Sequence, residues 1–326
     1  MSQGPTTTEG IDGPPRGDHQ QRIAVAVERL QRESGLDIRL NEPMVEHTSL
    51  GVGGPAEVFA DVLSVDGVVS AVDVARECGI PLTVCGRGTN LLVLDGGILG
   101  VVLHLGEGFR GIERKDLRVV AEGGASLAEV CEFAASHGLS GLEFAAGVPG
   151  AVGGAAAMNA GAGDGQMADV VESVQVVHEN GDIALCCRTE LEFGYRKSCL
   201  RERKCVAARV TFCLTEGDPA QIRKAVFEAV ETRCQKQPLS LGSCGSVFKR
   251  PEGDYAGRLL EVAGVKGLKI GGACFSKKHA NFILNEDNAA ARDIVDLIEA
   301  AKKRVREHSG VDLEEEVCII GQSPKE

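Results

Sequence analysis

The clearest chemical signal in this chain lies where side chains are missing. Gly86-Arg87-Gly88-Thr89-Asn90 stands between two apolar runs, residues 81–85 and 91–94. Small residues at this spacing let successive backbone N–H groups converge on one anion, a nest suited to phosphate. Thr89 and Asn90 add side-chain hydrogen-bond groups. The run is neither a P-loop nor the G-x-G-x-x-G fingerprint, because no Gly-Lys-Ser/Thr and no second-strand acid follow at the required spacing. Taken alone, it is also the sequence of an ordinary tight hairpin.

A second stretch, residues 143–165, carries Gly147-Val148-Pro149-Gly150, Gly153-Gly154 and Met158-Asn159-Ala160-Gly161-Ala162-Gly163 with almost no charge. Each glycine costs roughly 0.5–1 kcal/mol of backbone entropy relative to alanine. Such a run is sustained where something large lies flat against the main chain. Two nests in one domain point to a dinucleotide, a pyrophosphate with an adenosine, held outside a Rossmann frame. A low-complexity linker is the competing reading, and the strands flanking the run speak against it.

The elements that position these loops follow from periodicity and stop signals. The pattern predicts a helix over 20–36, turns from 41 to 56, a strand at 57–62 and a helix over 68–78 ended by Gly79 and Pro81. A short buried strand at 81–85, strands at 91–94, 100–105 and 117–122, and a helix at 126–137 follow. Strands at 170–178 and 182–187 flank Asn180-Gly181, a hairpin signal. A strand at 204–215 precedes a change of texture near 216. Helix 219–236 then sets Ile222, Val226, Ala229 and Val230 on one face. The remainder reads as helix 254–263, strands near 272–275 and 280–284, helix 288–309 and a closing strand at 316–320. The layout is α+β, without internal repeats. It divides into a leader (1–20), a first domain (21–215), a second domain (216–321) and a tail (322–326).

Composition bounds the function. In 326 residues, 42 glycines without a G-X-Y period exclude collagen and must serve turns and close approach. A net charge of −12 opposes sequence-independent nucleic-acid binding. The chain has no tryptophan and two tyrosines, a poor supply of stacking platforms for single strands. No apolar run approaches the ~20 residues of a membrane helix. The polar N-terminus lacks a signal-peptide core, so the expected setting is cytoplasmic, without membrane insertion, and the expected state is a monomer. Twelve cysteines are scattered without a Cys-x-x-Cys pair, so no metal is expected. Stretches such as Val130-Cys131, Phe212-Cys213-Leu214 and Cys318-Ile319-Ile320 suggest reduced, buried thiols acting as small hydrophobes. Cys244, near Ser246, is a candidate for thiol reagents without a catalytic role.

With these residues in view, the chain resembles the UDP-N-acetylenolpyruvoylglucosamine reductase (MurB) family. The likeness rests on Gly86-Arg87-Gly88-Thr89-Asn90-Leu91-Leu92-Val93, Gly147-Val148-Pro149-Gly150-Ala151-Val152-Gly153-Gly154 and Met158-Asn159-Ala160-Gly161-Ala162. It extends to Thr48-Ser49-Leu50-Gly51-Val52-Gly53-Gly54-Pro55-Ala56, Phe193-Gly194-Tyr195-Arg196-Lys197-Ser198 and Gly245-Ser246-Val247-Phe248-Lys249. Lys278-His279-Ala280-Asn281-Phe282 and Glu316-Val317-Cys318-Ile319-Ile320-Gly321 complete it in the family's order.

The resemblance implies an FAD-binding domain of the PCMH (vanillyl-alcohol-oxidase) type and a smaller α+β substrate domain. It also implies the compact type II subtype, which lacks an extra substrate loop. The implied reaction is NADPH-dependent reduction of the enolpyruvyl ether of UDP-N-acetylglucosamine to UDP-N-acetylmuramate for peptidoglycan. Hydride passes from NADPH to the N5 of non-covalent FAD and on to the alkene. Arg196, Ser246 and Glu316 match the catalytic positions: Arg196 suits the enolpyruvyl carboxylate, Glu316 joins it in stabilising the enol form, and Ser246 donates the proton. The cofactor positions fall at Gly53, at Gly86, Arg87, Gly88, Thr89, Asn90 and Leu91, at Gly147, Pro149, Gly150, Gly153 and Gly154, and at Asn159, Ala160 and Gly161. Substrate positions fall at Tyr195, Lys236, Lys249, Arg250, His279 and Asn281, with His279 as a packing group and Lys236 and Arg250 as counter-charges for the UDP phosphates. Arg250 stands where the pattern has asparagine. Two other readings share the fold: an FAD-dependent alcohol or sugar oxidase, and a nucleotide-sugar sensor without catalysis.

Overall fold

Residues 55–104 alternate strand, helix and strand, and the computed structural model, which describes residues 16–324, folds them as parallel crossovers. A four-stranded sheet runs in the order Leu36–Pro43, Pro55–Val62, Ile98–His104, Leu82–Cys85, antiparallel at its first pair and parallel at the other two. Helix Val65–Cys78 covers it. Ser64 accepts the Gly67 N–H (3.1 Å) at one end, and Gly79 closes the other at φ 62°, where only glycine is free of strain. Val68, Ala71, Val72 and Ala75 form the buried face.

Three differences from the sequence reading occur here. The first helix spans Arg16–Leu30 rather than 20–36, so it starts inside the expected leader, where His19 Nε2 lies 2.9 Å from Glu57 Oε2. Residues 1–15 lie outside the described residues. Leu36–Pro43 is a strand rather than helix end and turn, because pairing with Pro55–Val62 engages its main chain while Leu36 and Ile38 pack on the core. Strand Leu82–Cys85 is present but half-exposed rather than buried, since Leu82 and Val84 face a cavity.

A second sheet, wholly antiparallel, runs Ile183–Cys187, Val171–Val177, Val206–Cys213, Arg118–Glu122, Ile112–Lys115. The Asn180-Gly181 hairpin forms as expected, with the His178 N–H donating to Asp182 O (2.9 Å) and Gly181 at φ 86°. Helix Pro219–Lys236 has the expected bounds, opened by Asp218, which accepts the Ala220 N–H (3.0 Å). It packs on helix Leu127–Ser136, with Ile222 buried and Val226 and Ala229 set against the core.

The C-terminal unit sets strands Lys269–Ile270, Ala273–Phe275 and Ile283–Asn285 against helices Ala256–Val262 and Ala291–Ser309. The strand expected at 280–284 begins only at Ile283, because the Phe282 N–H turns back to His279 O (3.1 Å). The closing strand begins at Cys318 rather than 316, because the Glu316 N–H donates to Val247 O (2.7 Å). Cys318–Ile320 then pairs in parallel with Leu91–Val93, which carries the end of the chain back to the first nest. Leu50, Val52 and Leu92 belong to the C-terminal core, so the two halves share apolar packing. Among the described residues no helix is long and apolar enough to cross a membrane.

All twelve cysteines are free thiols. Cys85, Cys131, Cys199, Cys244 and Cys274 are buried as expected, but Cys187, Cys213 and Cys234 are exposed. Strand alternation explains Cys213: its neighbour Phe212 points into the core, so it points out. Cys244 is 2 % exposed, and burial pushes its thiol up to about 12, so reactivity toward thiol reagents is not expected in the folded protein.

Beneath the first sheet lies a charged group that stabilises it. His104 Nδ1 and Arg39 Nη2 each lie 2.5 Å from an Asp61 oxygen, and His47 Nε2 lies 2.8 Å from Glu42 Oε1. Burial pushes the Asp61 carboxyl up, but the His104 hydrogen bond and the charges of His104, Arg39 and His47 outweigh it and hold it below its ordinary 3.8. A carboxyl lowered by folding adds stability above its unfolded value, and that stability is lost as pH falls through the folded one. Asp61→Asn is therefore expected to lower stability by roughly 1–3 kcal/mol at neutral pH. Chemical denaturation across pH should show this gap closing on acidification below the ordinary carboxylate range; a gap independent of pH would contradict the assignment.

Candidate active site

A cavity of about 1460 Å3 opens where the two sheets and the C-terminal unit meet. This exceeds the ~300–1,000 Å3 of an ordinary small-molecule site and has room for a cofactor and a substrate together. The first nest lines it from end to end, through Gly86, Arg87, Gly88, Thr89, Asn90 and Leu91. Pro149, Gly150, Gly153, Gly154, Ala160 and Gly161 line it from the second glycine-rich stretch.

Three expected cofactor residues stay outside the lining. Gly53 sits at φ 137° under Val93, whose Cβ would lie 2.9 Å from an added Cβ; its smallness serves packing. Gly147 lies under Arg233 of helix Pro219–Lys236. Asn159 is 2 % exposed and fully engaged: its Nδ2 donates to Gln166 Oε1 and Gly194 O, and its Oδ1 accepts the Ala168 N–H, all at 2.9 Å.

The wall fits a dinucleotide carrying a flat apolar ring. Among the described residues, the N–H groups of Arg87, Gly88, Thr89 and Asn90 find no main-chain acceptor, which leaves them as a nest for an anion. Ile80, Leu82, Val84 and Leu127 supply apolar surface beside it. The glycines divide into two kinds. A Cβ on Gly154 would meet nothing within 4 Å, so the space above it is open to a ligand. A Cβ on Gly88 would lie 2.0 Å from His47 O, so that glycine, at φ 60°, serves the protein's own chain.

Arg196, Glu316 and Ser246 all line the cavity. Arg196 stands at the tip of a two-residue turn, closed by the Gly194 N–H to Lys197 O (2.9 Å), and holds φ 55°, strained for a non-glycine residue. Its Nε donates to Glu316 Oε1 at 2.6 Å, with both side chains largely buried. Burial pushes the Glu316 carboxyl above its ordinary 4.5, against the pull of Arg196 and Lys249. Glu316 is fixed from three other sides: its N–H donates to Val247 O, its carbonyl accepts from Asn90 Nδ2 (2.9 Å), and Val317 follows into the core. Ser246 precedes Val247 and is half-buried, next to Gly245, whose added Cβ would meet nothing.

The expected substrate residues divide similarly. Tyr195, Arg250 and His279 line the cavity. Burial lowers the His279 pKa below its ordinary 6.5, which keeps the ring neutral and suits a packing group. Lys249 lies outside the lining, paired with Glu314 and acting on Glu316 only through its charge. Asn281 is a correction: its amide is engaged at both ends by Phe248, accepting the N–H (3.0 Å) and donating to the carbonyl (2.8 Å), so it shapes the Ser246 loop instead of meeting a ligand. Lys236 is exposed and outside the lining.

Helix Pro219–Lys236 presents Arg233 to the cavity instead. Arg233 Nε is buried without a hydrogen-bond partner, and burial lowers its pKa. The sequence reading missed it, although the signal was present. Residue 233 continues the 4-3 spacing of Ile222, Val226 and Ala229; Lys236 is the next position in phase, but it is the last residue of the helix and is exposed there.

Comparison with known proteins agrees with this arrangement. Residues 56–186 match the FAD binding domain family, and residues 237–320 match the C-terminal domain of UDP-N-acetylenolpyruvoylglucosamine reductase. The chain is 45% identical over 283 residues to the UDP-N-acetylenolpyruvoylglucosamine reductase of Caldanaerobacter subterraneus subsp. tengcongensis, covering 87% of this chain and 93% of the relative. It is 42% identical over 303 residues to the reductase of Exiguobacterium sibiricum, covering 93% and 98%. The crystal structure of the reductase from Thermus caldophilus superposes with a TM-score of 0.74 at 38% identity, over 87% of this chain and 98% of that one.

The two kinds of glycine can be separated experimentally. Gly88→Ala is expected to lower the melting temperature of cofactor-free protein, through at least ~1–2 kcal/mol of left-handed strain plus the His47 clash. Gly154→Ala should leave that temperature unchanged or raise it slightly, yet reduce the FAD that copurifies. Equal thermal losses in both variants would contradict the division.

Proposed function

The chain belongs to the UDP-N-acetylenolpyruvoylglucosamine reductase family, and from that premise we propose how its residues carry the reaction. It is an NADPH-dependent flavoenzyme of peptidoglycan precursor synthesis, a UDP-N-acetylmuramate dehydrogenase (EC 1.3.1.98). Its substrate in this reading is the enolpyruvyl ether of UDP-N-acetylglucosamine, and its product is UDP-N-acetylmuramate. The relatives that align along nearly their whole length are reductases, which argues against the oxidase and sensor readings.

FAD, when bound, supplies the hydride chemistry, taking hydride from NADPH and giving it to the alkene. The free N–H groups of Arg87 to Asn90 would hold its pyrophosphate, and the bare chain at Gly150, Gly153, Gly154 and Gly161 would leave room for it. The observation that carries the catalytic reading is the Arg196 Nε–Glu316 Oε1 contact of 2.6 Å on the same wall as Ser246.

That contact, with a longer one from Nη2 to Gly161 O (3.4 Å), fixes the plane of the guanidinium and leaves Nη1 for the carboxylate of the enolpyruvyl group. As hydride adds to the alkene, negative charge moves toward that carboxylate, where Arg196 meets it. A second carboxylate beside Arg196 competes with Glu316 for the cation and raises the Glu316 pKa further, so a proton is favoured where charge develops. Ser246 Oγ gives its proton to the neighbouring substrate carbon, which completes the second C–H bond, and regains one from water. A serine hydroxyl is a weak acid, but an enolate-like carbon is a strong enough base to take its proton. The scheme needs no group from a second chain, and action in the cytoplasm as a monomer is part of the same proposal.

Ser246→Ala is expected to leave flavin reduction by NADPH near the wild-type rate while reduction of the enolpyruvyl substrate falls about 10²–10⁴-fold. Stopped-flow measurement of the two half-reactions separates them. Wild-type substrate turnover in this variant would remove Ser246 from the role.

A further inference from the structure

Glu316 closes a run of three glutamates, and each of the three has its own cation. Glu314 pairs with Lys249, Glu315 with Lys302 of helix Ala291–Ser309 at 2.7 Å, and Glu316 with Arg196. The run lies antiparallel to the segment that follows Ser246. The Lys249 N–H donates to Glu314 O at 2.8 Å, the Glu316 N–H donates to Val247 O at 2.7 Å, and Phe248 stands opposite Glu315 between them.

Side chains alternate along such an extended segment. Leu313 and Val317 point into the C-terminal core, so Glu315 between them faces the same side, where Lys302 takes it up. Glu314 and Glu316 face the other way. Lys249, directly opposite Glu314, shares that face and is the diagonal neighbour of Glu316, a spacing of about 7–8 Å that a long side chain bridges. Its ammonium is engaged by Glu314, whose side chain is 71% exposed, and it stays outside the cavity lining.

Among the described residues, the other charged and titratable groups about Glu316 are already accounted for. Arg196 pairs with it directly, its guanidinium carbon 5.2 Å from the Tyr195 ring centre. The buried Cys244 thiol is pushed up to about 12 and stays neutral. Cys318, two residues on, has Arg201 Nη2 at 3.3 Å from its sulfur. The charge of Lys249 draws the Glu316 carboxyl down against the upward push of burial, without contact between the two side chains.

We propose that Lys249 and Glu314 are a positioning pair for the reaction: across the ladder the Lys249 ammonium sets how readily Glu316 keeps its proton, and Glu314 limits that pull. The proposal rests on the reductase reading for what Glu316 does, and it adds the residues that set its protonation. Removing Lys249 leaves the Glu314 carboxylate alone to repel charge on Glu316, so the proton is held more tightly. Removing Glu314 leaves the ammonium alone, so the proton is released more readily. Removing both takes away a neutral pair.

Carbon-13 NMR of carboxyl-labelled glutamate, with the Glu316 signal assigned by its loss in Glu316→Gln, reads this in FAD-loaded enzyme without substrate or turnover. Lys249→Met is expected to move the Glu316 titration up by about half a pH unit or more, Glu314→Gln to move it down, and the double variant to lie between them. Lys249→Arg keeps the charge and should titrate close to wild type. In single turnovers, the pH profile for reduction of the enolpyruvyl substrate by reduced enzyme should shift in the same directions. A loosened ladder would shift both single variants the same way, so shifts of one sign, or none in either, would overturn the proposal. A shift in Lys249→Met alone would overturn the role of Glu314, and a shift in Glu314→Gln alone that of Lys249. If Lys249→Met fails to fold, Glu314→Gln at its exposed carboxylate decides, beside Lys249→Arg: a downward shift in the first alone supports the pair, and its absence overturns it. Opposed titrations in an enzyme unable to reduce the enolpyruvyl ether would sink the reductase reading and leave the pair standing. Opposed titrations with an unmoved pH profile of substrate reduction would keep that reading and overturn the pair's part in the reaction.

Discussion

The ion pair between Arg196 and Glu316 is the contact around which the site is organised. Each partner arrives from a different part of the chain, Arg196 on a strained turn of the first half and Glu316 on the last approach to the closing strand. A buried ion pair is expensive to desolvate, and removing one partner typically costs about 3–5 kcal/mol because the other charge is stranded. Glu316 accepts that situation because its main chain is tied to Val247 and Asn90, which brings the Ser246 loop and the first nest to the same point. The parallel pairing of Cys318–Ile320 with Leu91–Val93 is the scaffold for this arrangement. Carrying the end of the chain back to the nest brings Ser246, the Arg196–Glu316 pair and the loop at residues 86–91 to one cavity.

The cavity wall is built largely from main chain, and its glycines carry two separate constraints. Gly88 and Gly153 are small because the protein presses on them, with His47 O at 2.0 Å and Ala207 O at 2.9 Å from an added Cβ. Gly154 and Gly245 are small where the protein leaves open space. Tight self-packing of the first kind holds the loops rigid, and rigidity is what lets unpaired N–H groups act as a preformed anion site without reorganisation. The two functions are interleaved residue by residue, which is why glycine content alone reads as a single signal.

The sequence made much of this legible because its strongest signals are local. Helix Pro219–Lys236 was readable to the residue from Asp218-Pro219 and its apolar spacing, and the Asn180-Gly181 hairpin from its turn chemistry. What stayed hidden depends on partners distant in the chain. Leu36–Pro43 is a strand because of Pro55–Val62, and nothing within residues 36–43 alone dictates it. Asn281 and Asn159 look like ligand-binding amides, yet the protein's own main chain occupies them. Lys236 and Arg233 share a helical phase, and only the packing of the helix shows that Arg233 reaches the cavity while Lys236, at the helix end, is exposed. Residue type identifies a capable group; whether the fold has already engaged it is settled only by three-dimensional contacts.

The most direct test of the central pair is a double-mutant cycle of Arg196→Met and Glu316→Gln, read in the transfer of hydride from reduced enzyme to the enolpyruvyl substrate. If the two side chains act as one unit, the double variant is about as slow as the slower single variant, while NADPH reduces the flavin at similar rates in all four proteins. If the two losses multiply as independent factors, or if flavin reduction falls in step with substrate reduction, the pair is not the organising element of this site.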